Sequence, residues 1–135
     1  MPAKAFLDTN VLIYAISQND PRAAQAETLL LAGGIVSVQV LNEFVAVARR
    51  KMEMPWHEVR EALEAIRVLC PAPVAVSISV HEHALALAEK HGFSIYDALI
   101  AAAALEAGCQ TLYSEDFQDG QVIEQKLTIR NPFSR

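Results

Sequence analysis

Short runs of β-forming residues alternate with longer stretches of helical periodicity along the whole chain, and this alternation constrains the fold more than any other feature. Successive predicted strands are separated by roughly ten or more residues, so crossover connections and parallel pairing are favoured. The sequence therefore predicts an α/β domain of three layers, in which a small, mostly parallel central sheet is flanked by helices. The predicted strands are Lys4–Leu7, Ile35–Ser37, Val74–Val76, Gln110–Tyr113 and Leu127–Ile129.

Local signals set the expected ends of the helices. Asp20 followed by Pro21 is a start signal, because proline fits the first helical position. The segment Ser79–Glu82 matches a capping box, in which a serine and a glutamate satisfy each other's backbone amides. The first predicted helix begins near Thr9 and carries Val11, Leu12, Ala15 and Ile16 at helical spacing. The others run from Pro21 to Gly33, from Val38 to about Lys51, from Pro55 to Leu69, from Ser79 to Gly92 and from Ser94 to before Gly108.

The size and charge of the chain exclude several classes of protein. A length of 135 residues predicts one domain, residues 1–135, and 53% hydrophobic residues argue against disorder. The net charge of −5 argues against a protein that coats nucleic acid through a basic face. Cys70 and Cys109 lack metal-ligand spacing and are expected to be reduced and buried. The longest apolar run, Ala98–Leu105, is too short to span a bilayer, so we expect a soluble, cytoplasmic protein.

Two aspartates lie just past the ends of predicted strands, where ligands gather in parallel α/β sheets. Asp8 comes after the first strand, and Asp116 lies just past the fourth. Each has a structural alternative, because Asp8 could cap the following helix and Asp116 could form a turn. Capping and metal binding are compatible roles for Asp8, since one carboxylate has two oxygens.

Two further acids lie in helices that are apolar around most of their surface. Glu43 has Val40, Ala46 and Val47 as helical neighbours, although it could reach water from the edge of the apolar stripe. Asp97 is the only charged residue between Ser94 and Leu105. It could be a capping acid, but a carboxylate in the interior costs several kcal/mol unless it is paired.

The four acids together indicate a metal site. Two like charges about 4 Å apart repel by roughly 4 kcal/mol at an effective dielectric of about 20, so converging carboxylates need a counter-charge. Carboxylate ligands suit Mg²⁺ or Mn²⁺ better than zinc. The chain has no HExxH, GxGxxG, GxxxxGK[ST] or GxSxG motif that would indicate a different site. The expected ligands are Asp8, Glu43, Asp97 and Asp116.

The same residues carry a resemblance to PIN domains, and most of all to the compact VapC-type ribonuclease toxins of prokaryotic toxin–antitoxin pairs. The matching stretches are Phe6–Leu12, Leu41–Phe44, Tyr96–Ala103 and Tyr113–Phe117. Each motif is weak alone, whereas the ordered set is specific and extends over essentially the whole chain. The resemblance implies the same three-layer fold and an acidic quartet at Asp8, Glu43, Asp97 and Asp116.

The resemblance also implies a function and further residues. Thr9 and Asn10 would support the first acid, whereas the roles of Asp119 and Glu115 stay open because these proteins vary in that loop. The implied activity is Mg²⁺- or Mn²⁺-dependent hydrolysis of RNA by metal-activated water. Proteins of this kind typically form homodimers and are silenced by a small DNA-binding antitoxin of the VapB type.

Three alternatives stay open at this point. The basic residues Arg49, Arg50 and Lys51 could contact RNA phosphates, or they could only complement the dipole at the end of a helix. The chain could be a catalytically silent PIN-like module that binds RNA or protein, although such a module gains nothing from clustered acids. A phosphatase with an aspartate nucleophile usually needs a second aspartate two residues on, where this chain has Asn10.

Overall fold

The computed structural model describes residues 5–133, and these residues form six helices around a four-stranded sheet. Lys4, the first residue of the first predicted strand, lies outside the described residues. The helices are α1 (Thr9–Ile16), α2 (Ala23–Leu31), α3 (Val38–Arg50), α4 (Trp56–Leu69), α5 (Ile78–His91) and α6 (Ile95–Glu106). The strands are β1 (Phe6–Leu7), β2 (Thr111–Tyr113), β3 (Val122–Ile123) and β4 (Leu127–Arg130).

The sheet has the strand order β1-β2-β4-β3, in which β2 pairs in parallel with both β1 and β4. This confirms the predicted α/β architecture with a small, mostly parallel sheet. The antiparallel strand β3 was not predicted. Glu124 and Gln125, which connect it to β4, both have positive φ, and they lack the Asn-Gly or Asp-Gly signature that usually marks such a turn.

The predicted strands 35–37 and 74–76 are reduced to single parallel bridges that continue the sheet beyond β1. Ile35 pairs with Phe6, and Ser37 pairs with Val74. The first segment leaves the sheet early because Ser37 already caps α3, accepting a hydrogen bond from the Val40 amide. Gly34 allows the close approach to β1, since a Cβ there would lie 2.9 Å from the Ala5 carbonyl oxygen.

The predicted capping box at Ser79 is wrong, because α5 begins two residues earlier. The Ser77 side chain accepts a hydrogen bond from the Val80 amide at 3.1 Å and caps the helix. Ser79 lies inside the helix, where its hydroxyl donates to the Glu106 carboxylate. Both serines have the cap chemistry, and the sequence pattern favoured the serine that has a glutamate three residues later. The start of α2 is similarly displaced by two residues, to Ala23.

These two serines offer a matched test of the capping assignment. Ser77→Ala should lower the free energy of unfolding by about 1 kcal/mol, because the Val80 amide at the start of α5 loses its hydrogen-bond acceptor. Ser79→Ala removes only an exposed side-chain hydrogen bond and should cost clearly less. Urea unfolding of both variants at pH 7 measures the difference. A larger loss for Ser79→Ala would contradict the placement of the cap.

Helix α6 forms the centre of the hydrophobic core and carries Asp97 in its first turn. Its residues from Ala98 to Ala104 are all buried, as the apolar sequence predicted. The helix packs against α5 and also contacts α3 and β2. Both cysteines are buried, which confirms that expectation. Within residues 5–133, no helix combines the length and the hydropathy needed to cross a bilayer.

Candidate functional site

Asp8 is held at the carboxyl end of β1 by hydrogen bonds to both of its carboxylate oxygens. Oδ1 accepts from the Thr9 amide at 2.7 Å, so Asp8 is the N-cap of α1. Oδ2 accepts from the Ser114 hydroxyl at 2.6 Å. The parallel register explains this second contact, because Leu7 lies opposite Tyr113 and places the residues after both strands side by side. The side chain is buried, with 1% of the residue exposed.

The environment of Asp8 opposes its ionisation. Burial raises the pKa of this carboxyl from its usual value of 3.8 to about 7. The hydrogen bonds from Ser114 and Thr9 lower the pKa, whereas the neighbouring charges of Asp116 and Glu43 raise it further. Without a cation, Asp8 is therefore divided between its neutral and charged forms near pH 7.

Glu43 lies on α3 and faces the same region. Its Oε2 accepts a hydrogen bond from the Gln39 side chain at 2.9 Å, one helical turn earlier. Its Oε1 accepts from the Thr9 hydroxyl at 3.4 Å. The residue is half-buried. These contacts orient the carboxylate towards α1 and Asp8, and it does not simply extend into water from the edge of an apolar stripe.

Asp97 is placed by the N-terminus of α6, where its amide donates to the Ser94 hydroxyl at 3.1 Å. Burial raises the pKa of the Asp97 carboxyl, and the charges of Asp116 and Glu43 raise it further. A hydrogen bond from the Ser94 side chain lowers it. Asp97 thus lies in the first turn of α6, which Ser94 caps, and it is a neighbour of two other acids of the predicted quartet.

Asp116 lies in the loop after β2 and is the most exposed of the four acids. Its amide donates to the Ser114 hydroxyl at 3.0 Å, and its Oδ2 accepts from the Asn10 amide group at 3.2 Å. Ser114 therefore connects the backbone of Asp116 to the carboxylate of Asp8. Asn10 Oδ1 is buried and has no hydrogen-bond partner in the described part of the chain, which leaves one oxygen ligand available beside the acids.

The structure brings the four predicted acids into one region from four separate elements. Among residues 5–133, no lysine, arginine or histidine forms an ion pair with any of the four. In the same residues, no group of three or more acidic, histidine or cysteine side chains has the spacing that would coordinate a metal ion. The carboxylates are neighbours, but within the described residues their oxygens do not converge on one point.

The two acids whose roles the sequence left open, Asp119 and Glu115, bond to groups other than the four predicted ligands. Asp119 accepts a hydrogen bond from the Asn131 amide at 2.9 Å and stabilises the loop before β3. Glu115 accepts from the Tyr14 hydroxyl and lies 3.7 Å from the Arg22 guanidinium. Neither Asp119 nor Glu115 shares a hydrogen bond with the four acids in the described residues.

The three basic residues that end α3 also differ in their surroundings. Arg49 donates to the Met54 carbonyl at 2.8 Å, and its guanidinium lies 4.5 Å from the centre of the Trp56 ring. These contacts give Arg49 a structural role in the loop between α3 and α4. Arg50 is exposed, whereas Lys51 lines a groove that begins at Glu43 and Asp116.

Sequence reasoning did not identify two residues that orient the acids. Ser114 could have been found from the strand register, because it follows β2 at the level where Asp8 follows β1. Gln39 could have been found from its spacing, because it is the polar residue one turn before Glu43 on an apolar helix. Both are ordinary polar residues, so only their positions relative to the acids carry a signal.

Comparison with known proteins identifies the family. The PIN domain model matches residues 5–118, which is most of the chain, and the protein therefore belongs to the PIN domain family. No curated protein sequence gives a significant match. Solved structures similar to this chain share its fold.

Three of these structures come from toxin–antitoxin systems. A chain of a toxin–antitoxin complex from Klebsiella pneumoniae is 21% identical, with a TM-score of 0.73 over 97% of this chain and 99% of that one. VapC20 from Mycobacterium tuberculosis, a toxin that cleaves the sarcin–ricin loop, is 22% identical, with a TM-score of 0.66 over 83% and 89%. A chain of VapBC2 from Rickettsia felis, bound to a DNA fragment from its promoter, is 21% identical, with a TM-score of 0.67 over 94% and 97%.

Proposed function

We propose that this protein is a metal-dependent endoribonuclease that acts in the cytoplasm as the toxin of a VapC-type toxin–antitoxin pair. The observation that carries the proposal is the gathering of four carboxylates from four elements with no basic partner in the described residues. Membership of the PIN family supports the nuclease activity. The similar toxin that cleaves the sarcin–ricin loop supports RNA as the substrate.

The donor atoms of the site fit a hard divalent cation, either Mg²⁺ or Mn²⁺. Carboxylate oxygens are the ligands that these ions prefer, and the unpartnered Asn10 Oδ1 adds a neutral oxygen. Mutual repulsion opposes closer approach of the four carboxylates, so we expect small side-chain rotations when a cation binds. The ligands would be Asp8, Glu43, Asp97 and Asp116.

When bound, the cation would activate water for attack on phosphorus and would neutralise the charge that develops on the phosphate oxygens. The residues of the chain hold the ligands in position for this chemistry. Ser114 and Thr9 donate their hydroxyl protons to Asp8 and Glu43, so these hydroxyls orient carboxylates and are not free nucleophiles. Gln39 and Asn10 fix Glu43 and Asp116 by the same kind of contact.

The proposal includes a small DNA-binding antitoxin of the VapB type as the partner that silences the enzyme. The similar chain from a toxin–antitoxin complex and the similar VapBC2 chain support such a partner. We further propose that the toxin forms a homodimer. Exposed apolar side chains on several helices, among them Leu31, Val68 and Ile78, are compatible with protein interfaces.

The experiment that tests the function compares the wild type with Asp97→Asn on a mixed RNA substrate. Both proteins are stripped with EDTA and then assayed with and without added Mn²⁺ or Mg²⁺. The wild type should cut RNA only with metal, and the variant should be slower by at least about 100-fold. Circular dichroism shows whether the variant is folded.

Two other results would contradict the proposal. Equal cleavage by both proteins would indicate a contaminating nuclease or a different site. RNA binding by the wild type without cleavage, in the presence of metal and across several RNA classes, would favour the silent binding module. Size-exclusion chromatography with light scattering tests the homodimer independently of activity.

A further inference from the structure

A groove of about 300 Å³ extends from the acids along the surface between α1 and α3. Its lining includes two of the acids, Glu43 and Asp116, and the apolar side chains of Ile13 and Val47. Tyr14 and Lys51 also line it. The groove is thus continuous with the candidate active site and has an apolar part that the hydrolytic chemistry does not require.

The α3 side of the groove changes from negative to positive along its length. Glu43, Val47 and Lys51 are spaced four residues apart, so they form one stripe along α3 and its C-cap residue, Lys51. Eight residues at 1.5 Å per residue separate Glu43 from Lys51 by about 12 Å along the helix axis. A ligand in the groove therefore meets an acid, an apolar surface and an ammonium group in that order.

Tyr14 is a fixed wall of the groove because its hydroxyl is fully engaged elsewhere. The hydroxyl donates to Glu115 and accepts a hydrogen bond from Arg22 at 2.7 Å. The Arg22 guanidinium also lies 3.8 Å from the centre of the Tyr14 ring, and the Phe133 ring packs edge to face against it. These contacts fix the position of the Tyr14 side chain, which lines the groove. Arg22 also offsets the charge of Glu115, which lines the groove nearby.

Of the three basic residues at the end of α3, Arg49, Arg50 and Lys51, it is Lys51 that lines the groove and can contact a ligand there. It forms no ion pair within residues 5–133, whereas Arg49 is engaged by Met54 and Trp56. These features are complementary to successive parts of a nucleotide chain. The acid cluster would hold a cation at one phosphate, the apolar cleft fits a base, and the Lys51 ammonium group fits the next phosphate. The groove volume is at the lower limit of small-ligand pockets, as expected for one nucleotide.

We propose that this groove binds the nucleotide adjacent to the scissile phosphate, with its base against Ile13, Val47 and Tyr14 and its outer phosphate at Lys51. The inference rests on the proposed function, because it assumes that RNA crosses the acid cluster. It assigns Lys51 the role of a phosphate-binding residue and gives Arg49 and Arg50 no direct contact with this nucleotide.

The role of Lys51 is tested by measuring RNA binding and not cleavage. A failure of the proposed nuclease activity can then be distinguished from a failure of the groove to bind RNA. The parent protein and all variants carry Asp97→Asn, so that the RNA is not cut during the measurement. The probe is a fluorescein-labelled single-stranded RNA octamer, and its binding is measured by fluorescence anisotropy in Mg²⁺. Lys51→Gln should raise Kd at least about fivefold and reduce the slope of log Kd against log salt by about 0.7, as expected for one lost phosphate contact to a single strand.

Arg50→Gln is the matched control, because it removes the same charge from the next residue, which does not line the groove. It should change Kd less than about twofold and leave the salt slope unchanged. Equal effects of the two substitutions would mean that a diffuse field and not a contact at Lys51 attracts RNA, and this would overturn the proposal. No effect of Lys51→Gln, or no binding of RNA by the parent protein, would also overturn it.

The apolar part of the groove is tested by filling it. Val47→Phe should weaken binding of the octamer at least about fivefold, because the larger ring occupies the space for the base. Ala46→Phe places the same ring on the neighbouring exposed position of α3 and should leave Kd nearly unchanged. Thermal unfolding verifies that both variants are folded. Unchanged binding by a folded Val47→Phe variant would show that no base enters the groove.

Discussion

Replacing Asp116 with asparagine is expected to reduce metal-dependent RNA cleavage by at least roughly 100-fold, whereas the same change at Asp119 should leave more than half of the activity. The two residues are three positions apart in one loop, and each substitution removes one negative charge. Asp116 faces the other acids and is held by Asn10 and Ser114. Asp119 bonds to the Asn131 amide, a contact that the side-chain oxygen of asparagine can still make.

The measurement is kcat/KM on a defined RNA over a range of Mg²⁺ concentrations. The Asp116 variant should fail to reach wild-type activity even at saturating metal. Added metal can compensate for weaker binding of the ion, but it cannot restore the missing carboxylate at the site. A comparable loss for Asp119→Asn would place that residue at the catalytic centre. This would be contrary to its hydrogen bond with the backbone of residue 131.

Asp8→Asn is expected to stabilise the metal-free protein by about 2 kcal/mol at pH 8. The pKa of Asp8 is about 7 in the folded protein and near 3.8 when the chain is unfolded. As the pH rises from 4 to 7, the unfolded chain releases this proton more readily than the folded chain, so the free energy of unfolding falls. The pKa shift of about three units limits the gain in the free energy of unfolding to about 4 kcal/mol. The expected gain is smaller because asparagine cannot keep all the hydrogen bonds of the Asp8 carboxylate.

Urea unfolding in EDTA at pH 5 and pH 8 checks this expectation, and the gap between wild type and variant should widen at the higher pH. Saturating Mg²⁺ should then reverse the order, because metal stabilises the wild type by binding only its folded state. A variant that is less stable than wild type at pH 8 in EDTA would contradict the account of a buried, repelled carboxylate. Asp116→Asn is the control, since that side chain is exposed and should gain much less.

The positions of the four acids were predictable because each departs from its surroundings in the sequence. Asp8 and Asp116 follow strands, and Asp97 is an isolated charge in a helix that the structure shows to be buried. Strand-end geometry then requires such residues to lie near one another. Glu43 was predictable in the same way, as a charged residue on the largely apolar α3.

Other features depend on contacts that no local pattern specifies. The two capping serines, Ser77 and Ser79, have the same chemistry, and only the packed position of α5 decides between them. The role of Ser114 depends on the register between β1 and β2, which lie far apart in the sequence. The groove likewise exists only because α1 and α3 pack side by side, so periodicity within one helix could not predict it.

The strand order also has a consequence for when the four acids can come together during synthesis. Strand β2 lies between β1 and β4 in the sheet, although β1 is made first and β4 more than a hundred residues later. Asp8 cannot gain its Ser114 contact, and Asp116 cannot reach the other acids, until this late part of the chain has left the ribosome and folded. Under the proposed function, a growing chain in which β2 has not yet paired with β1 would lack the complete acid cluster and would not cut nearby RNA.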